Sequence, residues 1–194
     1  MELVLATHNP HKAREFRELI GVGFEIKDLT CIPQIVMPEE TGRTFEENAI
    51  LKATNVSKSA DGLIMADDSG LEVDALNGAP GIYSARYAGA KASDTANINK
   101  LLRELKSIPN RSARFRCVIA LARGGKVLET VEGAVEGTIT DRPRGDGGFG
   151  YDPVFQPSGR AETFAEMAPR LKNKISHRGK AVAALREKLR ESRS

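Results

Sequence analysis

The sequence predicts a mixed α/β fold with a twisted sheet as its scaffold. Strand-like and helix-like segments follow each other in the order β-α-β-α-β-β-α-β-β-α, which is typical of one α/β domain. The chain has 194 residues, of which 40% are hydrophobic and 28% charged, as in ordinary globular proteins. Because no internal repeat or linker-like segment divides the chain, we expect a single domain over residues 1–194, with any second lobe around 113–136.

The first half of the chain predicts three strands and two helices. They are strand 2–6, helix 12–20, strand 24–28, helix 45–60 and strand 63–67. The first helix places Phe16, Leu19 and Ile20 on one side, which is the spacing of a buried helix face. Thr44-Phe-Glu-Glu47 is a capping box, which predicts where the second helix begins. The segment between Leu29 and Arg43 contains two prolines and few helix signals, so we interpret it as a loop.

The second half predicts three further strands and two further helices. They are strand 71–76, helix 95–105, strands 115–122 and 127–135, and a terminal helix with an apolar stripe of Val182, Leu185 and Leu189. Gly124-Gly125 between the last two strands indicates a hairpin. Thr163-Phe-Ala-Glu166 is a second capping box, which favours a helix there. Residues 82–92 and 141–150 predict irregular loops, and residues 191–194 are expected to fray.

Composition excludes several classes of protein. No apolar run approaches the roughly 18 residues that span a bilayer, and the N-terminus lacks a signal-peptide pattern, so we expect a cytoplasmic protein without a membrane partner. Cys31 and Cys117 lie outside any Cys-x-x-Cys or Cys/His cluster, which argues against zinc or redox chemistry. The net charge of +3 is mild, and with no Trp and 5% aromatic residues we expect no nucleic-acid partner.

The stretch from Met65 to Leu76 is the strongest candidate for chemistry. An apolar run, Leu63-Ile-Met-Ala66, leads into Asp67 and Asp68 and then Ser69-Gly70. Adjacent side chains on an extended segment point to opposite faces, so one acid is expected to face a cleft while the other faces the scaffold or caps a turn. Acids at the end of a buried strand commonly act as metal ligand or base in α/β proteins. The alternative interpretation is an ordinary polar turn.

Two loops offer groups for a phosphate and a metal ion. The segment Thr7-His-Asn-Pro-His-Lys12 joins a strand to a helix, so its backbone amides and Lys12 are suited to hold phosphate. An ordinary capped strand–helix connection remains the alternative, because the phosphate-loop motif is absent. In the second loop, Glu39 or Glu40 together with Asp68 would suit Mg²⁺, which is often held by one or two carboxylates, water and substrate phosphates.

Two later segments contain polar residues that a core does not need. Residues 145–150 read G-x-G-x-x-G, but no strand–turn–helix unit surrounds them, so a dinucleotide site is excluded. A ring, Phe149 or Tyr151, beside the carboxylate of Asp152 can instead stack on a base and accept hydrogen bonds, unless this is only a glycine-rich loop. His177 and Arg178 would follow a Ser176 cap, where cations oppose the helix dipole and an anionic or polar ligand would balance them.

Taken together, these segments resemble the inosine triphosphate pyrophosphatases, a family that acts on non-canonical purine nucleotides. Six segments carry the resemblance in the family's order: Leu5–Lys12, Thr44–Ala53, Ala66–Asp74, Gly78–Gly89, Gly147–Pro153 and Ile175–Ala181. The resemblance implies hydrolysis of ITP, dITP or XTP to the monophosphate and pyrophosphate, with Mg²⁺ as cofactor. It also implies an elongated, two-lobed α/β fold with a central substrate cleft, and a homodimer.

The resemblance further implies roles for individual residues. Asp68 would be the general base and a metal ligand, and Glu39 the second acidic ligand. The implied substrate-binding residues are Thr7, His8, Asn9, Pro10, His11, Lys12, Ser69, Phe149, Gly150, Tyr151, Asp152, Lys172, His177 and Arg178. Phe149 would stack on the base, while Arg178 or backbone amides would donate to O6 of a 6-oxo purine, so that the amino group of adenine meets a donor.

Two alternative functions remain at this point. One is a pyrophosphatase for other modified nucleotides, such as modified pyrimidines, on a related fold. The other is a non-catalytic nucleotide or RNA binder that uses the same basic residues. Carboxylates in the binding region argue against the binder, because a pure anion site gains nothing from Glu39 and Asp68.

Overall fold

A computed structural model describes residues 2–21, 25–32 and 34–191, which contain six strands and five α-helices. The strands are β1 (Glu2–Leu5), β2 (Glu25–Asp28), β3 (Leu63–Val73), β4 (Ser112–Arg123), β5 (Lys126–Ile139) and β6 (Phe155–Pro157). The helices are α1 (Pro10–Ile20), α2 (Phe45–Val56), α3 (Asp94–Glu104), α4 (Pro169–Ile175) and α5 (His177–Glu191). Within the described ranges, no helix combines the length and the apolar composition that crossing a bilayer requires.

The strands form one mixed sheet in the order β2-β1-β3-β4-β5-β6. Strand β1 runs parallel to both β2 and β3, with Leu3 opposite Ile26 and Leu63. Strand β6 runs antiparallel to β5. The predicted mixed α/β fold class is therefore confirmed.

The chain divides into two compact units. Unit 1 takes its described residues from Met1–Asp68, Cys117–Gly133 and Arg178–Ser194, and unit 2 from Ser69–Arg116 and Ala134–His177. Three strands, β3, β4 and β5, contribute residues to both units.

The core of unit 1 is built from strand residues and from the apolar faces of α1 and α5. Its larger buried members are Leu3, Leu5, Phe16, Ile20, Leu63, Met65, Ile119, Leu121, Val182 and Leu185. Helix α1 begins where Asn9 accepts hydrogen bonds from the backbone N–H groups of His11 and Lys12, and Pro10 occupies the first turn. This combination of an Asn cap and an early proline is a common helix start. The Asn side chain accepts from N–H groups of the first turn that have no partner within the helix, and proline has no N–H that would need one. The predicted apolar stripes of both helices are thus confirmed.

The core of unit 2 is aromatic and aliphatic. Its larger buried members are Leu71, Val73, Ile98, Leu101, Leu105, Phe115, Phe155 and Phe164. The rings of Phe115 and Phe155 meet edge to face, with their centroids 4.7 Å apart. Helix α3 begins at a Ser93 cap and buries Ile98 and Leu101, as its spacing predicts.

The prediction of two strands separated by a polar turn at Asp67-Asp68 was wrong. Strand β3 is continuous from Leu63 to Val73, and both acids lie inside it. The strand is central, with β1 and β4 as neighbours, so its backbone forms hydrogen bonds with a strand on each side. The last predicted strand residues, Asp74–Leu76, instead form a short 3₁₀ helix.

Other boundaries also differ from the prediction. The Glu166 carboxylate does accept a hydrogen bond from the Thr163 N–H at 2.7 Å, but the segment forms a turn, and the next α-helix begins only at Pro169. The predicted loops contain 3₁₀ helices at Leu29–Cys31 and Gly81–Arg86. Helix α4 and strand β6 were not predicted, since both are too short for a periodic pattern. Residue 24 of the second predicted strand and residues 192–194 lie outside the described residues.

Candidate active site

Two adjacent carboxylates on β3 have separate partners in unit 1. Asp67 and Asp68 are buried, with relative exposures of 2% and 5%. Asp67 Oδ2 lies 2.9 Å from Lys12 Nζ, and Asp68 Oδ1 lies 2.9 Å from Lys52 Nζ. The pleat explains the separation, because neighbouring side chains on a strand point to opposite faces.

Helix α2 provides the surroundings of Asp68. Lys52 Nζ binds both Asp68 Oδ1 and Glu40 Oε1 at 2.9 Å, and Asn48 Nδ2 donates to Asp68 Oδ2 at 3.3 Å. Asn48 and Lys52 are four residues apart, so they project from the same face of the helix. Sequence reasoning did not single out either residue. The available signal was a polar residue and a lysine on a helix face that otherwise buries Ala49 and Ala53.

Burial makes Asp68 a stronger base than an exposed aspartate. Removal from water raises the pKa of Asp68, Lys52 and Lys12 oppose that effect, and Glu40 adds to it, so the pKa lies above its ordinary value. Burial lowers the pKa of Lys52, but the nearby carboxylates of Asp68, Asp67 and Glu40 outweigh burial and raise it, so Lys52 stays charged. A carboxylate with a raised pKa, fixed beside a cation, is suited to take a proton from water.

The oxygen donors near Lys52 suit a hard cation. Asp68 Oδ1 and Glu40 Oε1 both bind the Lys52 ammonium, so the two carboxylates are directed at the same positively charged group. Among residues 2–21, 25–32 and 34–191, no cluster of three or more His, Cys, Asp or Glu side chains is arranged to hold a metal. Two carboxylates are sufficient for Mg²⁺, which commonly completes its shell with water and substrate phosphates. Asp68 and Glu40 are therefore suitable ligands for a divalent cation.

The structure distinguishes the two glutamates of the 38–42 loop. Glu39, which the resemblance implies as the second metal ligand, is exposed. The side chain of Glu40 is 28% exposed, and its carboxylate contacts Lys52 and through it approaches Asp68. Gly42 ties this loop to α2, because its N–H donates to Asn48 Oδ1 at 2.8 Å.

The predicted phosphate segment forms the entry to α1. Thr7 is buried, and its hydroxyl accepts from the Asn9 N–H at 3.1 Å. His8, Pro10 and His11 are exposed around the first turn, and the Lys12 side chain is 17% exposed. The segment thus places one ammonium group and a helix start at the same end of β1, an arrangement that attracts anions.

Three of the predicted base-binding residues lie together in unit 2. Asp152 Oδ2 accepts hydrogen bonds from Lys172 Nζ at 2.6 Å and from the Phe149 N–H at 2.8 Å. Lys172 Nζ lies 5.1 Å from the centroid of the Phe149 ring, which is within cation–π range. Asp152 and Lys172 are buried, whereas Phe149 and Gly150 are half-buried. A partly open ring with a fixed cation beside it is suited to stack on a nucleobase.

Tyr151 and His177 are held inside unit 2. The Tyr151 hydroxyl donates to the Ser84 carbonyl at 2.9 Å, and burial raises the pKa of that hydroxyl, so it remains protonated. His177 stacks on Phe115, with ring centroids 4.7 Å apart and planes 12° apart. Ser69, the first residue of unit 2, is half-buried.

Arg178 is buried in unit 1, with 2% of its side chain exposed. One guanidinium nitrogen donates to Glu15, a second lies 3.6 Å from Asp67 Oδ2, and the group lies over the Phe16 ring. The predicted contact with O6 would require N–H groups that here face Glu15 and Asp67. Sequence reasoning missed Glu15 as a partner because the two residues are 163 positions apart.

Comparison with known proteins places these features in a family. The model of the Ham1 family matches residues 3–188. A dITP/XTP pyrophosphatase of Bacillus licheniformis is 50% identical over 187 residues, which cover 95% of each chain, and that of Bacillus subtilis is 51% identical over 95% of this chain and 94% of its own.

Solved structures agree with the sequence comparison. The Staphylococcus aureus Ham1 protein superimposes with a TM-score of 0.88 at 43% identity, over 99% of this chain and 100% of that one. A nucleoside-triphosphatase, also described as a dITP/XTP pyrophosphatase, from Mycobacterium abscessus superimposes with a TM-score of 0.77 at 43% identity, over 95% and 98% of the two chains. With a family model that spans nearly its whole length and relatives that share half of its residues, the chain belongs to the Ham1 family.

Proposed function

We propose that this protein hydrolyses the deaminated purine nucleotides ITP, dITP and XTP to the monophosphate and pyrophosphate, and so cleanses the nucleotide pool. The observation that carries the proposal is the buried Asp68 carboxylate, fixed by Lys52 and Asn48 and paired through Lys52 with Glu40. The names of the Bacillus relatives support the substrate class. A non-catalytic nucleotide binder would have no need for two buried or half-buried carboxylates in an anion site.

Asp68 acts as the general base in this proposal. Its oxygen takes a proton from the attacking water, the water oxygen forms a bond to phosphorus, and a phosphoanhydride bond breaks to release pyrophosphate. Lys52 and Asn48 hold the Asp68 carboxylate in one orientation through the reaction. Mg²⁺, held by Asp68 with Glu39 or Glu40, would neutralise charge on the phosphate oxygens.

The segment from Thr7 to Lys12 binds the triphosphate. A triphosphate carries about four negative charges near neutral pH, so cationic groups contribute strongly to its binding. Lys12 is the partly exposed ammonium of this segment, and the exposed His8 and His11 flank the first turn of α1.

The residues from Phe149 to Asp152, with Lys172 and His177, bind the base. Phe149 stacks on the purine, while the Lys172 ammonium supplies a donor for O6. Adenine places an amino group where the 6-oxo purines place O6, so a donor would face a donor. A site whose polar groups are left unpaired by the wrong substrate can discriminate by about 10⁴.

The test is pyrophosphate release from ITP, XTP, dATP, dGTP and dTTP, each with Mg²⁺ and with EDTA. Fast release from ITP and XTP alone, lost in EDTA, would support the reaction, the cofactor and the substrate class together. Release from dTTP instead would keep the chemistry and favour the pyrimidine alternative. No release from any nucleotide would leave the non-catalytic binder, and the mechanism would be withdrawn.

The homodimer and the cytoplasmic location complete the proposal. The homodimer rests on the family resemblance, and the cytoplasmic location on the proposed role in cleansing the nucleotide pool.

A further inference from the structure

We propose that Glu15 and Arg178 are positioning residues, which act through Asp67 to hold the Lys12 ammonium in place for the triphosphate. The proposal rests on the proposed function, because it concerns the phosphate-binding segment of the same site. It assigns a role to Asp67 and Glu15, which the mechanism above does not use, and a different role to Arg178.

The four side chains form a chain of alternating charges in unit 1. Glu15 accepts from Arg178, Arg178 lies 3.6 Å from Asp67 Oδ2, and the same Oδ2 atom binds Lys12 Nζ at 2.9 Å. Lys12 and Glu15 lie one turn apart on α1, Asp67 lies on the central strand β3, and Arg178 lies in the first turn of α5. The chain of charges therefore links three elements, and Asp67 is the member that contacts the Lys12 ammonium.

The two middle members of this chain of charges are the most buried. The exposed fractions of the side chains are 17% for Lys12, 1% for Asp67, 2% for Arg178 and 14% for Glu15. Of the two cations, Lys12 is therefore the one with access to an anion, whereas Arg178 is enclosed. A lysine side chain has four rotatable bonds, and fixing its end in advance reduces the entropy that substrate binding must overcome.

Asp67 keeps its charge in this arrangement. Its Oδ2 atom lies 2.9 Å from the Lys12 ammonium and 3.6 Å from a guanidinium nitrogen of Arg178, so two cations favour the ionised carboxylate. A buried carboxylate without such partners would be costly, which explains why a second cation, Arg178, lies behind it. Glu15 in turn balances Arg178, so the four groups together are neutral.

Because the four groups together are neutral, the direction in which Glu15→Gln changes anion affinity distinguishes positioning from simple electrostatics. Replacing Glu15 by Gln removes a negative charge, and electrostatics alone would then strengthen the binding of an anion. If Glu15 instead positions Lys12, the same substitution weakens the binding, because Arg178 and Asp67 lose their fixed geometry. Glu18→Gln is the matched control, since Glu18 is an exposed glutamate on the same helix and the charge change is identical.

The experiment measures binding of inorganic triphosphate by calorimetry, together with kcat and KM for ITP, XTP and ATP. Inorganic triphosphate has no base and its binding needs no turnover, so this readout remains informative even if the proposed nucleotide hydrolysis fails. We expect Glu15→Gln to weaken triphosphate binding and raise every KM by about 10-fold, with kcat within about twofold of the parent value, the size expected for one charge-assisted hydrogen bond. Glu18→Gln should change neither the triphosphate affinity nor any KM.

A double-mutant cycle separates positioning from a general effect on stability. In a Lys12→Met background, Glu15→Gln should have no further effect on triphosphate binding, because the group through which it acts is gone. A purely structural role would weaken binding in both backgrounds by the same factor. Equal factors, or tighter binding by Glu15→Gln in the parent protein, would overturn the proposal.

Arg178→Lys tests the second positioning residue and keeps the charge. We expect KM to rise for ITP, XTP and ATP by the same factor, since lysine cannot reach both Glu15 and Asp67 with a planar fork. A KM that rises more for ITP than for ATP would instead assign Arg178 to recognition of O6 and overturn its positioning role. If this buried substitution prevents folding, which the melting temperature reveals, the Glu15 cycle still decides the proposal.

Discussion

At the scale of single residues, Asp68 carries the proposed chemistry. Asp68→Asn keeps the shape of the side chain and an acceptor for Lys52 but cannot take a proton from water. We expect kcat for ITP to fall by about 10²–10⁴, while calorimetry still detects nucleotide binding. Asp61→Asn is the control, because Asp61 is exposed and carries the same charge. Turnover retained in Asp68→Asn would remove Asp68 as the base.

The second acidic ligand is decided by comparing Glu40→Gln with Glu39→Gln. Because Glu40 contacts the cation that Asp68 also binds, whereas Glu39 is exposed, we expect Glu40→Gln to raise the Mg²⁺ concentration for half-maximal activity more strongly. The two variants differ by one position and have the same charge, so each controls for the other. A larger effect of Glu39→Gln would favour the ligand that the family pattern implies.

Gly148 illustrates how one residue fixes the geometry of the base site. An added Cβ would lie 2.0 Å from Asp152 Oδ2, and its φ of +72° also disfavours any other residue. Gly148→Ala should therefore displace Asp152 from Lys172 and Phe149, raise KM for ITP and cost about 1–3 kcal/mol of stability beyond the strain in φ.

The matched control for Gly148→Ala is Gly159→Ala. Gly159 has a similar φ of +75°, but an added Cβ there meets nothing within 4 Å. The stability of Gly159→Ala, measured from urea unfolding, therefore reports the cost of the backbone conformation alone. Equal destabilisation and an unchanged KM for both variants would show that the clash with Asp152 is relieved at no cost to the site.

At the scale of secondary-structure elements, Asp28 joins the end of β2 to α1. Its carboxylate accepts from the Thr30 N–H at 2.9 Å, from the Thr30 hydroxyl and from Arg17 of α1. Burial raises its pKa, but the bonds from Thr30 and Arg17 outweigh burial and lower it below the ordinary value. The ionised form is therefore preferred in the folded protein.

This preference predicts a pH-dependent contribution to stability. A group whose pKa is lower in the folded state stabilises above its unfolded pKa, about 3.9, and loses that contribution as the pH falls through the folded value. We expect Asp28→Ala to lower the free energy of unfolding, measured in urea at pH 7, by about 1–2 kcal/mol. The difference in stability between the parent protein and this variant should become smaller below about pH 4. A gap that stays constant down to pH 3 would contradict the ionic contribution, and Asp61→Ala serves as the exposed control.

At the scale of the whole molecule, the proposal predicts a homodimer. Light scattering after size exclusion should give twice the chain mass of 21.0 kDa at micromolar concentration. A mass equal to one chain across the concentration range would contradict this part of the proposal and leave the reaction untouched.

Local patterns were sufficient for most of the elements. The spacing of Phe16 and Ile20 in α1 and of Ile98 and Leu101 in α3 predicted both helices, because a buried face repeats with the period of the helix itself. Gly124-Gly125 predicted the hairpin between β4 and β5, because two glycines between strand-like runs suit a tight turn. Strand β6 and helix α4 were missed because three and seven residues are too few to establish a period.

The sequence by itself determined the mixed α/β class, the helix faces and the family resemblance, since each depends on neighbouring residues or on ordered motifs. Only the tertiary structure decided that Asp67 and Asp68 lie within one continuous strand, that Lys52 joins Asp68 to Glu40, and that Arg178 is paired with Glu15. The physical reason is that burial and charge pairing act through space. A polar stretch that reads as a turn is kept in a strand by the sheet on either side and by cations from distant segments.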